Sequence, residues 1–138
     1  MRFMILVKAS KDSEAGVMPS QEMLTAMADY HEQLAKAGVL LDGTGLQPSS
    51  AGWRIKYTGG KRTVVDGPFA ETKELIAGYT LIQTKSREEA LEWSKRFPNP
   101  AIGGKDCEIE VRQLFELEDF GPSEAVERFR EMGIGGKR

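Results

Sequence analysis

Only one cysteine, Cys107, and one histidine, His31, occur in the 138 residues. A lone thiol rules out an intramolecular disulfide. One Cys and one His together exclude zinc sites built from several such ligands, so no metal is expected. No apolar run approaches the roughly 18–20 residues that a membrane span needs, and no membrane partner is expected. Positive charge is scattered and the formal net charge is -2. The sequence therefore lacks the basic stripe that nucleic-acid binding requires. Near the start, Arg2 precedes a short apolar run, Phe3 to Val7, and a charged loop containing Gly16 follows. That run is too short for the core of a secretory leader and reads as a first strand, which makes a cytoplasmic location the expectation. What remains is ordinary for a soluble globular chain: 40% hydrophobic and 29% charged residues, in a length that supports one domain with a real core.

Residues 3–7 are apolar without alternation, as in a strand covered on both faces. Residues 10–19 form a loop, and loops of that length often line binding sites. Ser20 is a suitable N-cap, and a helix runs from it to Ala37, stopped by Gly38. Met23, Met27, Tyr30 and Leu34 make one stripe of this helix, with Leu24 and His31 at its margin. A second strand spans Val39 to about Leu46. Its Gly43 and Gly45 mark a bulge or a close approach by another group. Trp53, Ile55 and Tyr57 alternate with Arg54 and Lys56, Gly59-Gly60 makes a turn, and Thr63 to Val65 returns, so residues 52–66 read as a hairpin. Tyr79 to Thr84 is another strand. Ser86 and Glu89 form a capping box for a helix that ends near Phe97, before Pro98. Cys107, Ile109 and Val111 alternate with charged residues in a last strand that ends near Phe115, with Cys107 facing inward. Residues 119–138 form a tail with a short amphipathic helix and a mobile end.

Without the hairpin this order is β-α-β-β-α-β, the split βαβ or ferredoxin-like pattern. The expected class is thus α+β: a ferredoxin-like domain over residues 1–120, with an inserted hairpin and a helical tail over 121–138. Two helices cover one face of such a sheet. The apolar first strand asks for cover on the other, which predicts a two-fold homodimer.

The stretch Asp66-Gly67-Pro68-Phe69-Ala70-Glu71-Thr72-Lys73-Glu74-Leu75-Ile76-Ala77-Gly78 resembles the signature of the DGPF branch of the YCII-related family. Supporting blocks follow in the family's order: residues 37–48, Glu89-Ala90-Leu91-Glu92-Trp93, and residues 107–112. The resemblance spans roughly residues 1–120. It implies a small dimeric α+β barrel of ferredoxin-like halves and a pocket holding a His-Asp pair. A few members of the wider family act as dehydrochlorinase-type lyases on small cyclic substrates, and most have no established activity.

His31 carries the one side chain type whose ordinary pKa suits proton transfer at neutral pH. Asp66, at a turn closing a strand, would orient its ring if helix and turn meet over the sheet. The plain alternative makes His31 a half-buried helix residue bonded to a backbone carbonyl. Asp66, for its part, would be a turn former whose carboxylate bonds the backbone two residues on. Lys73 could hold an anionic group or pair with Glu71 or Glu74, and Trp53 and Tyr79 could line a pocket or simply pack. Gly103-Gly104-Lys105 lacks the spacing and the following Ser or Thr of a phosphate loop. Two functions follow. One is an isomerase- or lyase-type enzyme, needing no cofactor, that moves a proton on a small organic molecule through His31 and Asp66. The other is a non-catalytic small-ligand-binding or regulatory module.

Overall fold

The computed structural model describes residues 1–135. The strands are β1 (Arg2–Lys8), β2 (Leu40–Gly45), β3 (Trp53–Thr58), β4 (Lys61–Asp66), β5 (Ile76–Gln83) and β6 (Ile109–Gln113). The helices are α1 (Lys11–Glu14), α2 (Gln21–Lys36), α3 (Arg87–Lys95) and α4 (Glu124–Glu131). The helix starts follow the local sequence. Ser20 Oγ accepts the Met23 N–H at 3.1 Å, and Ser86 Oγ accepts that of Glu89 at 3.1 Å. The Glu89 carboxylate reaches past the expected capping-box position and takes the Lys85 N–H at 3.1 Å. At the far end of α2, Gly38 adopts a left-handed φ of 75°, and the Val39 N–H turns back to the Leu34 carbonyl.

Four strands form one antiparallel sheet in the order β2-β5-β1-β6, and β3 and β4 form a separate hairpin. The chain is a mixed α+β protein with antiparallel sheets, four helices among the described residues, and the ferredoxin-like strand order. Register decides what each face carries. Phe3 lies opposite Ile82, and Ile5 lies opposite Thr80 and Val111. These side chains point to the face where Tyr30, Leu34, Val39 and Ala90 complete a buried core, flanked by Trp93, Phe97, Ile109 and Val111. The other face, with Met4 opposite Leu81 and Leu6 opposite Tyr79, is only half-buried.

Three expectations change. The loop at 10–19 contains the one-turn helix α1, started by a reciprocal pair of Ser10 and Ser13 bonds. Cys107 is exposed rather than inward-facing, because β6 begins at Ile109. Phe115, taken as the end of the last strand, lies beyond β6 and is 71% exposed. In the tail, α4 forms and buries Val126, and Arg2 makes a fork of bonds to Glu116 from Nε and Nη2, each at 3.0 Å. The expected mobile end falls partly on residues 136–138, outside the described residues. Among the described residues no helix is long and apolar enough to cross a membrane.

Tyr30 joins α2 to α3. It is buried, its hydroxyl donates to the Trp93 carbonyl at 2.7 Å, and its ring meets Trp93 and Phe97 edge-on. Burial pushes its pKa up to about 12, against a weaker opposing pull from Arg96. A raised folded-state pKa favours folding only while the phenol stays protonated. That stability is complete below the unfolded value of about 10 and is lost as pH climbs toward 12. Chemical denaturation should therefore show folding stability falling by about 2 kcal/mol between pH 10 and 12 on account of this residue. Tyr30→Phe should cost about 1 kcal/mol at pH 8 and flatten that alkaline decline. An equally steep decline in the variant would refute the assignment.

Candidate functional site

The core ends where the sheet runs out of large side chains. Along the β2, β5 and β1 registers, Leu40, Ile82 and Phe3 give way to Gly43, Thr80 and Ile5, and then to Gly45, Gly78 and Val7. Gly45 and Gly78 face each other, and a Cβ on Gly78 would lie 2.9 Å from the Thr44 carbonyl oxygen. The close approach of the two strands thus demands glycine at Gly78 of β5, whereas a Cβ on Gly45 of β2 would meet only the Ala77 carbonyl oxygen, at an ordinary 3.9 Å. Small residues on the sheet floor and methionines on α2 leave a cavity of about 660 Å³. Met23, Leu24, Met27 and His31 of α2 wall one side. Val17 and Met18 from the 10–19 segment are part of the remaining wall, which contains no Lys, Arg, Asp or Glu.

His31 stands at the boundary between core and cavity, half-buried. Its Nδ1 lies 2.7 Å from the Met27 carbonyl oxygen and its Nε2 lies 2.8 Å from Thr80 Oγ1. A carbonyl only accepts, so Nδ1 carries a proton. In the neutral ring Nε2 is then the acceptor, and the Thr80 hydroxyl donates to it. The ring also packs edge-on against Tyr30 and Phe97. The Met27 contact matches the plain reading of a helix histidine bonded to a carbonyl. The Thr80 contact adds a second fixed point.

His31 and Tyr79 border the cavity, whereas Asp66, Lys73 and Trp53 do not. By strand alternation the Tyr79 side chain leaves on the opposite face. There its hydroxyl donates to Asp42 Oδ2 at 3.0 Å, a bond that raises the tyrosine's pKa. Lys73 is exposed in a short turn, and Trp53 is exposed on the hairpin. Asp66 ends β4 opposite Trp53. No hydrogen bond to its carboxylate is present among the described residues, so the structure does not bring His31 and Asp66 together, nor does the Asp66 carboxylate bond the turn. Among the described residues there is also no cluster of three His, Cys, Asp or Glu side chains disposed to hold a metal.

The marked turn does something else. The Gly67 N–H donates to the Gly52 carbonyl at 3.0 Å, and the Phe69 N–H donates to Ser49 Oγ at 3.0 Å. Position 67 must be glycine, because a Cβ there would collide with the Ser49 carbonyl. The Arg54 guanidinium covers the Phe69 ring at 3.7 Å. Ser49 in turn holds Glu14: its N–H donates to Oε2 at 2.8 Å, and its hydroxyl donates to Oε1. Glu14 ends α1, in the segment that walls the cavity. A second tie, Lys105 Nζ to Asp12 Oδ2 at 3.1 Å, holds the same helix. Sequence reasoning missed both ties and Thr80. It did find the glycines of β2, the methionine stripe and the long loop.

Three comparisons bear on the chain. The YCII-related domain profile matches residues 1–117. An uncharacterised protein of Rhizobium meliloti (strain 1021) is 32% identical over 96 residues, which cover 68% of this chain and 74% of that protein. Among solved structures, the chain is similar to 5-chloro-2-hydroxyhydroquinone dehydrochlorinase (TftG) from Burkholderia phenoliruptrix AC1100, in complex with 2,5-dihydroxybenzoquinone. That match has 13% identity and a TM-score of 0.40, over 84% of this chain and 95% of the other.

Removing Ser49 Oγ should free both the turn and α1. Ser49→Ala is expected to lower stability by about 1–3 kcal/mol and to speed amide exchange at Phe69 and across residues 11–17. Asp66→Asn, which breaks no bond, should leave stability within about 0.5 kcal/mol. A larger loss in Asp66→Asn than in Ser49→Ala would reverse the roles assigned to the two residues.

Proposed function

The chain belongs to the YCII-related family, and on that premise we propose that it is a small-molecule enzyme whose acid–base group is His31. Membership of the family's DGPF branch is part of this proposal, and the Asp66-Gly67-Pro68-Phe69 sequence supports it. The carrying observation is the double anchoring of the only histidine at the wall of a cavity that no Lys, Arg, Asp or Glu lines. A general base needs a fixed ring and a lone pair aimed at the reacting group. The Met27 carbonyl fixes the ring, holds the Nδ1 proton and stabilises the imidazolium once it forms. Nε2 takes the substrate proton directly when Thr80 turns aside. Alternatively, Thr80 accepts that proton as it passes its own to Nε2. Returning the proton to another atom completes an isomerisation, and losing a leaving group completes an elimination. Neither outcome calls for a cofactor from this chain's residues.

A His31–Asp66 pair is the competing form of the same mechanism, and it requires the base of the hairpin to move to the cavity. The second reading is a non-catalytic binding module. It is favoured by the satisfaction of both ring nitrogens within the protein, a state that needs no reaction to explain it.

We also propose a two-fold homodimer. Trp53, Tyr57 and Val64 are 64%, 71% and 63% exposed on one face of the hairpin, and the sheet face bearing Met4 and Leu81 is half-buried. An apolar hairpin face of this kind is marginal in water without cover.

N-phenyl-1-naphthylamine, a neutral fluorophore, should bind the cavity and shift the ring proton signals of the single histidine in NMR spectra. Bound fluorescence without movement of those signals would remove His31 from the site. For any substrate found, His31→Ala should lower kcat by about 100-fold or more, the usual range for a general base. Asp66→Asn should leave kcat within about twofold; a loss equal to that of His31→Ala would restore the His-Asp pair. Sedimentation velocity at micromolar concentration should show a dimer, and a monomer alone would end that part of the proposal.

A further inference from the structure

We infer that the cavity selects neutral, largely apolar molecules bearing one hydrogen-bond donor, a hydroxyl or an N–H, and rejects carboxylates and phosphates. This rests on the reading of the cavity as the ligand site and adds the chemistry of what enters it.

Charge is the first selector. The wall has no cation to receive an anion and no acid to receive a cation. Three charged groups on the segments beside it are engaged with partners outside the lining. Glu14 is held by Ser49, and Asp12 and Lys105 hold each other. An ionised group carried into the cavity would lose water and find no counter-charge, which is strongly unfavourable. The balance of donors and acceptors at the inner end comes second. Nδ1–H is committed to the Met27 carbonyl. With the ring neutral, the Thr80 hydroxyl proton is committed to Nε2. The pair then has no free donor and keeps acceptor capacity on Thr80 Oγ1, or on Nε2 if Thr80 rotates away. A ligand group that meets this pair must donate. An ether or a ketone of the same shape would bring a second acceptor against an acceptor. Shape comes third. Met18, Met23 and Met27 line the space, and unbranched thioether side chains re-pack around varied apolar outlines. The site is therefore selective in polarity and tolerant in shape.

The test is displacement of N-phenyl-1-naphthylamine at pH 8, above the ordinary histidine range. The competitors share one skeleton: 2-naphthalenemethanol, its methyl ether, and 2-naphthoate. The alcohol should compete at least tenfold better than either of the others. Thr80→Val should erase the alcohol's advantage over the ether. Because that variant disturbs a buried bond, its fold is checked by near-ultraviolet circular dichroism, and a second variant carries the charge argument. Leu24 lines the cavity yet is 45% exposed, so Leu24→Lys can be accommodated and should improve 2-naphthoate binding several-fold with little effect on the ether. If 2-naphthoate matches or exceeds the alcohol in the unmodified protein, the inference is overturned. The same holds if the ether equals the alcohol. If the fluorophore itself fails to bind, it is the assignment of the cavity as the ligand site that fails.

Discussion

One hydrogen-bonded pair, His31 and Thr80, separates what this fold fills from what it leaves open. On one side of the pair the sheet carries Phe3, Ile5 and Ile82, and α2 and α3 supply Tyr30, Leu34 and Ala90 to cover them. On the other side the floor is Gly45, Gly78 and Val7, and the space between it and α2 stays open. Thr80 lies in the register of Ile5 and is 2% exposed, so its hydroxyl needs a partner there. His31 is the side chain that reaches it. A buried threonine and a half-buried imidazole would each be costly alone. Together they satisfy each other and leave the ring fixed at the cavity wall.

The constraint on the cavity wall lies outside the cavity. Residues 10–19 carry one helical turn that buries no side chain of its own. A segment with so little apolar anchorage depends on polar ties. It has Glu14 on Ser49, Asp12 on Lys105, and the Ala9 N–H on the Leu75 carbonyl at 2.9 Å. The Asp66-Gly67-Pro68-Phe69 turn enters here. It docks on residues 49–52 and donates to the same Ser49 oxygen that holds Glu14. The most conspicuous motif in the sequence is thus two bonds away from the wall, acting through serine and glutamate rather than through its own aspartate.

Much of the fold was legible because it rests on local signals. Ser20 and Ser86 start helices, Gly38 stops one, and alternation over 53–57 gives the hairpin. Each is a short-range rule, and their order in the chain implies the strand order seen in the sheet. What failed was long-range. Alternation in the sequence continues through Cys107, but pairing with β1 reaches only Val7 opposite Ile109. At Val7 and Lys8 the β1–β5 register shifts, and the Ala9 N–H is committed to Leu75. Cys107 consequently has no strand to face. The site shows the same division. His31 was found because it is unique and sits on a helix margin. Thr80 was not, since a threonine in a strand reads as packing until register sets it opposite Ile5 and Gly43. Asp66 stands out in the sequence because its neighbours mark a turn so strongly. Those neighbours are required for docking on Ser49 and Gly52, which says nothing about the carboxylate.

The absence of charge in the cavity and the density of charge around it are one arrangement. Acids and bases that tie down a wall must be paired or solvated, and an apolar interior offers neither. Tying Asp12 and Glu14 of α1 to Lys105 and Ser49 secures the wall without putting an ion among the residues that line the cavity. The polarity of the inner end is then set by His31 and Thr80, whose bonds to each other and to Met27 leave acceptors and no free donor on that pair. The wall's stability and the cavity's selectivity thus share one cause: charged groups engaged outside the cavity, and a neutral polar pair at its inner end.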